Sequence, residues 1–166
     1  MFRATFSDIA SQYPDTEADY GYIDAFMQWI TRSPEHYDTV VTSNMFGDIS
    51  TDLGAVLQGG MGMAASGNIG DQHAFFEPVH GSAPKHAGQN KVNPIASINS
   101  IQMMMDYLGR KNNDDDLVAV GRLIDESVAD HLREGKQLTY DIGGTASCSD
   151  VGMSIANRLA DKLKER

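Results

Sequence analysis

Residues 37–52 read YDTVVTSNMFGDISTD, a short apolar run followed at once by two aspartates four positions apart. The β-branched stretch TVVTS from Thr39 is apolar on both faces, which predicts a central strand of a parallel sheet. A helix is expected to follow from about Asp48 to Leu57, and it would place Asp48 and Asp52 on one face, about 6 Å apart. Two like charges at that spacing repel each other, so something should offset the repulsion.

Two interpretations of this aspartate pair are open. In the first, Asp48 caps the helix and Asp52 is solvated on its first turn, where acidic side chains are favourable. In the second, both carboxylates bind one hard divalent cation, Mg²⁺ or Mn²⁺, and substrate oxygens and water complete the octahedron. Asp24 raises the same question, because it interrupts the apolar face of residues 22–27, YIDAFM. Its alternative is a helix cap or a surface position.

The composition indicates an ordinary folded protein of one domain or about one and a half. Of 166 residues, 41% are hydrophobic and 22% are charged, and the net charge of −10 argues against nucleic-acid binding. No apolar segment reaches the ~18 residues of a membrane helix, and the N-terminus lacks a signal-peptide pattern. The single cysteine, Cys148, agrees with a reducing compartment. We therefore expect a cytoplasmic protein that binds neither nucleic acid nor membrane.

The remaining apolar periodicity predicts mostly helices, with one more short strand over residues 73–78. The glycine-rich stretch 59–70 is expected to be irregular. Strands alternating with helices indicate the α/β class, although two or three strands are too few for a self-sufficient sheet. The helices are expected over residues 2–13, from Tyr22 to before Pro34, from Asn93 as cap to Gly109 as stop, through Leu117–Leu132 to Gly135, and from about Ser149 to Leu163.

A second constellation lies in residues 77–94, EPVHGSAPKHAGQNKVNP. From His80 to Lys91 it carries two lysines, two histidines and no carboxylate, within a chain of net charge −10. The small residues 81–83 leave main-chain N–H groups accessible, which can form an anion-binding concavity, and Lys85 adds a point charge. The segment therefore suits a phosphate, and an ordinary basic surface loop is the alternative. Neither GxGxxG nor GxxxxGK[ST] is present.

Taken together, residues 37–52, the glycine-rich run, residues 76–94 and DIGGTAS at 141–147 resemble the β-decarboxylating dehydrogenases, which include isocitrate, isopropylmalate and tartrate dehydrogenases. The resemblance covers nearly the whole chain but corresponds to the C-terminal half of such an enzyme. It implies a partial isocitrate/isopropylmalate dehydrogenase-like α/β fold. Residues 1–50 would be part of the dimerisation and metal-binding domain, and residues 51–166 the C-terminal part of a cofactor domain with a split parallel sheet. The catalytic lysine and tyrosine and the substrate-binding arginines would lie upstream.

The resemblance also implies an activity, the metal-dependent oxidative decarboxylation of a 3-substituted malate of the isocitrate or isopropylmalate type. In such enzymes a divalent cation acts as a Lewis acid on the small 2-hydroxy acid, and a nicotinamide cofactor takes the hydride. Asp48 and Asp52 would be metal ligands of one subunit and Asp24 the ligand supplied by its dimer partner. A homodimer with a shared active site follows, and no other catalytic residue is expected in this half.

Cofactor contacts are implied in the same way, with Asn93 at the adenine, Glu77 near the nicotinamide ribose and Asp141 closing the adenosine pocket. After GSAP this chain has Lys85 and His86, where members that use NAD carry an acid and an aliphatic residue. A 2′-phosphate would attract Lys85, so NADP is favoured over NAD, although Gly144 stands where the NADP branch has an arginine. The implied cofactor residues are Glu77, His80, Gly81, Ser82, Ala83, Lys85, His86, Val92, Asn93, Tyr140 and Asp141.

Two further functional interpretations remain. The chain could be a truncated, non-catalytic module that self-associates and retains metal or nucleotide binding. A Mg²⁺-dependent phosphoryl-transfer enzyme is the weaker alternative, because neither a P-loop nor a kinase-type set of loops is present. The lone Trp29 and the methionines at 103–105 are expected to pack in a core or at an interface.

Overall fold

The computed structural model describes residues 1–165, in which six α-helices and two β-strands are joined by turns. Within these residues no helix has both the length and the hydropathy needed to cross a bilayer. Single 3₁₀ turns occur at Pro34–His36, Pro84–His86 and Tyr140–Ile142. The elements are α1 (Phe2–Ala10), α2 (Ile23–Arg32), α3 (Asn44–Leu57), β1 (Ala65–Ile69), β2 (Ala74–Pro78), α4 (Ile95–Asn112), α5 (Asp115–Glu134) and α6 (Cys148–Lys164).

The chain forms two compact units, Met1–Gly47 and a second one that begins at Asp48. The boundary lies inside α3, so Asp48 and Asp52 belong to the second unit and Asp24 to the first. The assignment of residues 1–50 to a dimerisation domain and of residues 51–166 to a cofactor domain stays a prediction.

The first unit has a very small core. Phe26 is buried at 8% exposure and packs edge-to-face on Tyr37, with 5.0 Å between ring centroids. Phe6 packs in the same manner on Tyr20 at 5.2 Å. Trp29 is 50% exposed, so it is not a core residue of this unit, and its predicted alternative role at an interface stays a prediction.

Residues 39–43 do not form a strand, so this prediction is wrong. A strand needs a neighbouring strand for its main-chain N–H and C=O groups, and residues 1–47 as described contain no other extended element. Val40 and Val41 are consequently 47% and 58% exposed instead of buried. The following helix begins at Asn44 and not at Asp48, one full turn earlier than predicted.

The two strands of the second unit pair antiparallel, with Ala65 opposite Pro78 and Ile69 opposite Ala74. β2 confirms the strand predicted over 73–78, whereas β1 shows that residues 65–69 of the glycine-rich run are not irregular. Gly67 lets the Phe76 ring pack closely on β1, because a Cβ atom there would lie 3.0 Å from that ring. The parallel pairing expected for the cofactor domain is therefore not formed between these two strands.

The second unit stacks in the order hairpin, α4, α5 and α6, each element packing on the next. Its core joins Met63, from the turn before β1, to residues of all three helices, and each such buried side chain contributes roughly 1.5–3 kcal/mol. Most of the apolar burial in the chain is therefore in this unit. The central cluster consists of Met63, Ile95, Val128, Val151 and Ile155, flanked by Ile98, Leu132 and Ala146.

The C-terminal ends of two helices differ from the predictions. α1 ends at Ala10, before Tyr13. α4 continues through Gly109 and ends at Asn112, because the following Asn113 adopts a left-handed conformation with φ of 54°. Gly109 serves close packing instead, since a Cβ atom there would lie 2.6 Å from Val118 Cγ2 of α5.

The other helix ends agree with the sequence pattern. α2 ends at Arg32, before Pro34, and α5 ends at Glu134 with Gly135 as its C-cap at φ of 66°, both as predicted. α6 begins one residue before the predicted start, and Ser147 and Asp150 form a reciprocal capping box at its N-terminus. The Ser147 hydroxyl bonded to Asp150 lowers the pKa of that carboxyl group.

His131 of α5 is 2% exposed, and its Nδ1 lies 3.0 Å from Ser154 Oγ of α6. Burial lowers the pKa of His131 below 6.5; the main chain of Gln137 opposes this shift and Arg158 adds to it. The folded state thus favours the neutral ring, so this stabilisation is complete above pH 6.5 and is lost as the pH falls below it.

We therefore expect the urea midpoint to fall when the pH is lowered from about 7.5 to about 5.5. The His131→Gln variant, which cannot titrate there, should show a smaller fall over the same interval. Equal falls in the two chains would contradict this assignment. The carboxylates with lowered pKa, Asp130 and Asp150, lose their contribution only in more acidic solution.

Candidate functional site

The two carboxylates of α3 lie on the second and third turns of the helix, and both side chains are exposed. Because α3 begins at Asn44, Asp48 cannot be its cap, and α3 has no acidic residue in its first turn. The interpretation of this pair as a helix cap with a first-turn acid is therefore wrong. Within residues 1–165 no lysine, arginine or histidine forms an ion pair with Asp48 or Asp52, so their mutual repulsion is not offset within the chain.

Asp24 lies in the first turn of α2 and is exposed, as its surface alternative predicted. Among the described residues no group of three or more histidine, cysteine, aspartate or glutamate side chains is gathered as metal ligands would be. Asp24 belongs to the first unit, whereas Asp48 and Asp52 belong to the second. The assembly of these three residues from two copies as one ligand set stays a prediction.

Residues 80–92, which are predicted to contact a nucleotide and are called the nucleotide loop below, combine short local turns with left-handed residues. His80 Nδ1 lies 2.8 Å from the Gly81 carbonyl oxygen, and Pro84–His86 form one 3₁₀ turn. Ala83 has φ of 45° and Gly88 φ of 74°, conformations that occur in anion-binding concavities. In the described chain the N–H groups of residues 81–83 donate to no protein acceptor, and these residues are exposed. They are therefore available to a ligand.

Two basic residues of this loop, His86 and Lys91, lie beside the ring of Tyr140. The ring centroid of His86 lies 5.9 Å from that of Tyr140, and Lys91 Nζ lies 5.4 Å from the Tyr140 centroid. The second distance is within the range of a cation–π interaction. The structure thus places Tyr140 beside His86, both of them predicted cofactor residues, and beside Lys91, a lysine of the basic segment to which the sequence analysis gave no role. No signal near Lys91 in the sequence indicates this contact, because Tyr140 lies 49 positions away.

Asn93 and Asp141, 48 residues apart, are linked by a hydrogen bond of 3.1 Å from Asn93 Nδ2 to Asp141 Oδ2. Asn93 is buried, and its Oδ1 accepts from the N–H of Ile95, the first residue of α4, at 3.0 Å, although the N-cap position is occupied by Pro94 and not by Asn93 as predicted. Gly62 lies against both residues, because a Cβ atom there would be 2.6 Å from Asp141 Oδ2 and 3.0 Å from Asn93 Cβ. Gly62 is therefore a second residue that the sequence analysis missed, although it lies in the glycine-rich run.

The other predicted cofactor residues lie on or beside this loop. Lys85 is exposed, Val92 is half-buried next to Asn93, and Glu77 is exposed on β2 opposite Ser66. At Gly144 a Cβ atom would lie 1.9 Å from the Leu138 carbonyl oxygen. An arginine cannot occupy that position in this backbone.

Two surface clefts occur elsewhere in the second unit. One of 360 Å³ is lined mainly by α6, including Ser154 and Arg158, and one of 630 Å³ lies between the hairpin and α4, beside Phe76 and Tyr107. None of the predicted metal or cofactor residues lines either cleft. The predicted site residues therefore stand apart from both.

Comparison with known proteins gives consistent matches. A family model described as isocitrate/isopropylmalate dehydrogenase matches residues 1–155. Homoisocitrate dehydrogenase of Methanocaldococcus jannaschii is 44% identical over 99% of this chain and 45% of its own length, and 3-isopropylmalate dehydrogenase of Thermobifida fusca is 41% identical over 98% and 44%. A crystal structure of isocitrate dehydrogenase from Methylococcus capsulatus aligns with a TM-score of 0.87 and 35% identity, over 95% of this chain and 45% of that chain. The chain thus spans less than half the length of each of these proteins.

Proposed function

Because this chain belongs to the isocitrate/isopropylmalate dehydrogenase family, we propose that it supplies the metal carboxylates and nucleotide loop of an oxidative decarboxylase. The enzyme would act in the cytoplasm on a 3-substituted malate of the isocitrate or isopropylmalate type and transfer hydride to NADP in preference to NAD. The observation that carries the proposal is the Asn93–Asp141 hydrogen bond, which joins two residues assigned to the adenosine end of the cofactor from separate motifs.

The α3 carboxylates fit a hard divalent cation, Mg²⁺ or Mn²⁺. Carboxylate oxygens are the preferred ligands of such ions, and both side chains are exposed without an ion-pair partner among the described residues. When bound, the cation would polarise the substrate oxygens as a Lewis acid. Asp48 and Asp52 would hold it from one subunit and the partner subunit's Asp24 from the other, which makes a homodimer part of the proposal.

The nucleotide loop fits the charged end of a dinucleotide. The N–H groups of residues 81–83 would donate to phosphate oxygens, and the ring of Tyr140 would form one wall of the adenosine pocket. Gly144 leaves no room for an arginine, so the positive charge for a 2′-phosphate would come from Lys85 and from Lys91, which the Tyr140 ring holds at 5.4 Å. A free carboxylate that could bond the ribose hydroxyls of NAD is absent from residues 80–92.

Complementation tests the activity. We expect no increase in absorbance at 340 nm when the chain alone is mixed with isocitrate or isopropylmalate, Mn²⁺ and NADP. Reduction of NADP should begin once a matching N-terminal half from a relative is added. Absence of reduction with both halves present, in a mixture that assembles, would favour the alternative of a self-associating module that binds without turnover. A chain carrying Asp48→Asn is the matched negative control in the same mixture.

The cofactor preference is tested by replacing Lys85 with aspartate. We expect the variant to bind NADP about tenfold or more weakly, because a carboxylate repels the 2′-phosphate that the ammonium group attracts, while NAD binding is kept or improved. Titration by calorimetry measures both dissociation constants. Lys136→Asp, which makes the same charge change outside the loop, is the control. Equal affinity of the starting chain for NAD and NADP would end the NADP assignment.

A further inference from the structure

Asn90 attaches the nucleotide loop to the helix α6. Its Nδ2 donates to Ser149 Oγ at 2.7 Å, its Oδ1 accepts from the Ser149 N–H at 3.1 Å, and its main-chain oxygen accepts from the Cys148 N–H at 2.8 Å. The remaining hydrogen bonds of the loop are local, such as Gln89 Nε2 to the Lys85 oxygen at 2.7 Å. In the part of the chain that the structure describes, every hydrogen bond from residues 80–92 to other residues is made by Asn90.

The backbone at this position also favours asparagine. Asn90 has φ of 52°, which lies in the left-handed region. Asparagine adopts this conformation more readily than other residues with a Cβ atom. Glycine would adopt it as well, but it would make neither of the two side-chain hydrogen bonds. The conformation and the contacts therefore depend on the same side chain.

The partner of Asn90 is the first turn of α6, whose N–H groups have no acceptor within the helix. Ser147 Oγ accepts from the Asp150 N–H at 3.2 Å as the helix cap. The two N–H groups between them, those of Cys148 and Ser149, donate to Asn90. The hydrogen bonds that hold the loop on α6 are thus the same bonds that satisfy these two N–H groups of the helix.

We propose that Asn90 is a positioning residue for the nucleotide, because it holds the loop in its binding conformation on α6 before the nucleotide arrives. This inference rests on the proposed function, since it takes residues 80–92 as the nucleotide site. A loop that is already ordered spares binding the entropy cost of ordering it. By linkage, bound nucleotide strengthens the contact between Asn90 and α6.

Two substitutions in the full chain separate the side-chain bonds from the backbone conformation. Asn90→Gly keeps the left-handed conformation and removes both side-chain bonds, whereas Asn90→Asp keeps the acceptor for Ser149, and its negative charge is favourable at a helix N-terminus. We expect Asn90→Gly to weaken NADP binding about tenfold, as the loss of two hydrogen bonds predicts, and Asn90→Asp to stay within about threefold of wild type. The melting temperature should fall by only a few degrees, because the exposed Ser149 can bond water instead and the loop contributes no core residue.

Amide hydrogen exchange distinguishes a role of Asn90 in positioning the loop from a role in the stability of the whole chain. In the wild type, NADP should slow exchange at residues 81–89 and at Ser149. In Asn90→Gly, exchange there should be faster without NADP and slowed less by it, while the amides of α4 and α5 stay unchanged. Unchanged loop exchange or an unchanged NADP dissociation constant in Asn90→Gly would overturn this inference alone. A wild-type chain that binds no nucleotide would contradict the proposed function itself, and the positioning role with it.

Discussion

Conversion of both Asp48 and Asp52 to asparagine is expected to abolish Mn²⁺ binding by this chain. A neutral amide oxygen is a much weaker ligand for a hard cation than a carboxylate, and the change removes both charges that the ion would neutralise. Binding is measured by the loss of the free Mn²⁺ signal in electron paramagnetic resonance. Because the two carboxylates also repel each other in the absence of metal, the double variant should be as stable as the wild type or slightly more stable.

The matched control replaces two other aspartates, which carry the same total charge at the same spacing. Asp15 and Asp19 are also four positions apart and exposed, but they lie outside any helix. The double asparagine variant at these positions should bind Mn²⁺ as the wild type does. If the Asp48 and Asp52 variant keeps its Mn²⁺ affinity, the metal assignment is wrong. If the control loses affinity to the same degree, the binding is a nonspecific effect of the net charge.

Substitution of Gly144 by alanine is expected to be the most destabilising single change in the second unit. The added Cβ atom would lie 1.9 Å from the Leu138 carbonyl oxygen and 2.4 Å from its carbon, both main-chain atoms that cannot rotate away. That oxygen also accepts a hydrogen bond from the Ala146 N–H at 2.8 Å. We expect a loss of about 3 kcal/mol or more in the free energy of unfolding, measured by urea denaturation.

Gly152→Ala is the control, because a Cβ atom at this position of α6 meets nothing within 4 Å. In a helix interior alanine is favoured over glycine by about 0.5–1 kcal/mol, so this variant should be slightly more stable than the wild type. Equal stability of the Gly144 and Gly152 variants would contradict the close approach of residue 144 to the Leu138 carbonyl group. It would also mean that the backbone at Gly144 can accommodate the arginine that the NADP branch has there.

The fold class predicted from sequence, a partial isocitrate/isopropylmalate dehydrogenase-like α/β fold, is confirmed by the family match and by the solved structures. The helices with clear apolar periodicity, α4 to α6, were predictable because their burial depends on neighbours within the chain. The strand predicted over residues 39–43 is not formed, because residues 1–47 as described contain no second extended segment with which it could pair. The prediction that Gly109 ends α4 was wrong for a related reason, since only the packed structure shows that Val118 approaches it.

The candidate site was predictable where a residue type carries its own chemistry. The aspartates of α3 and the basic loop were identified from charge and spacing, and the resemblance implied separate contacts of Asn93 and Asp141 with the adenosine end of the cofactor. Asn90, Lys91 and Gly62 were missed, because their roles depend on contacts with Ser149, Tyr140 and Asp141, which are 49 to 79 positions away in the chain. No local pattern contains that information.

The central claim is that one ion is held by carboxylates of two subunits, and subunit mixing tests it most directly. Chains carrying Asp24→Asn and chains carrying Asp48→Asn with Asp52→Asn are unfolded together and refolded in equal amounts. Each variant alone should bind no Mn²⁺, whereas the mixture should regain about a quarter of the wild-type sites, because half of the dimers are mixed and each has one intact site. No recovery in a mixture that forms dimers, or full Mn²⁺ binding by Asp24→Asn alone, would contradict the shared site.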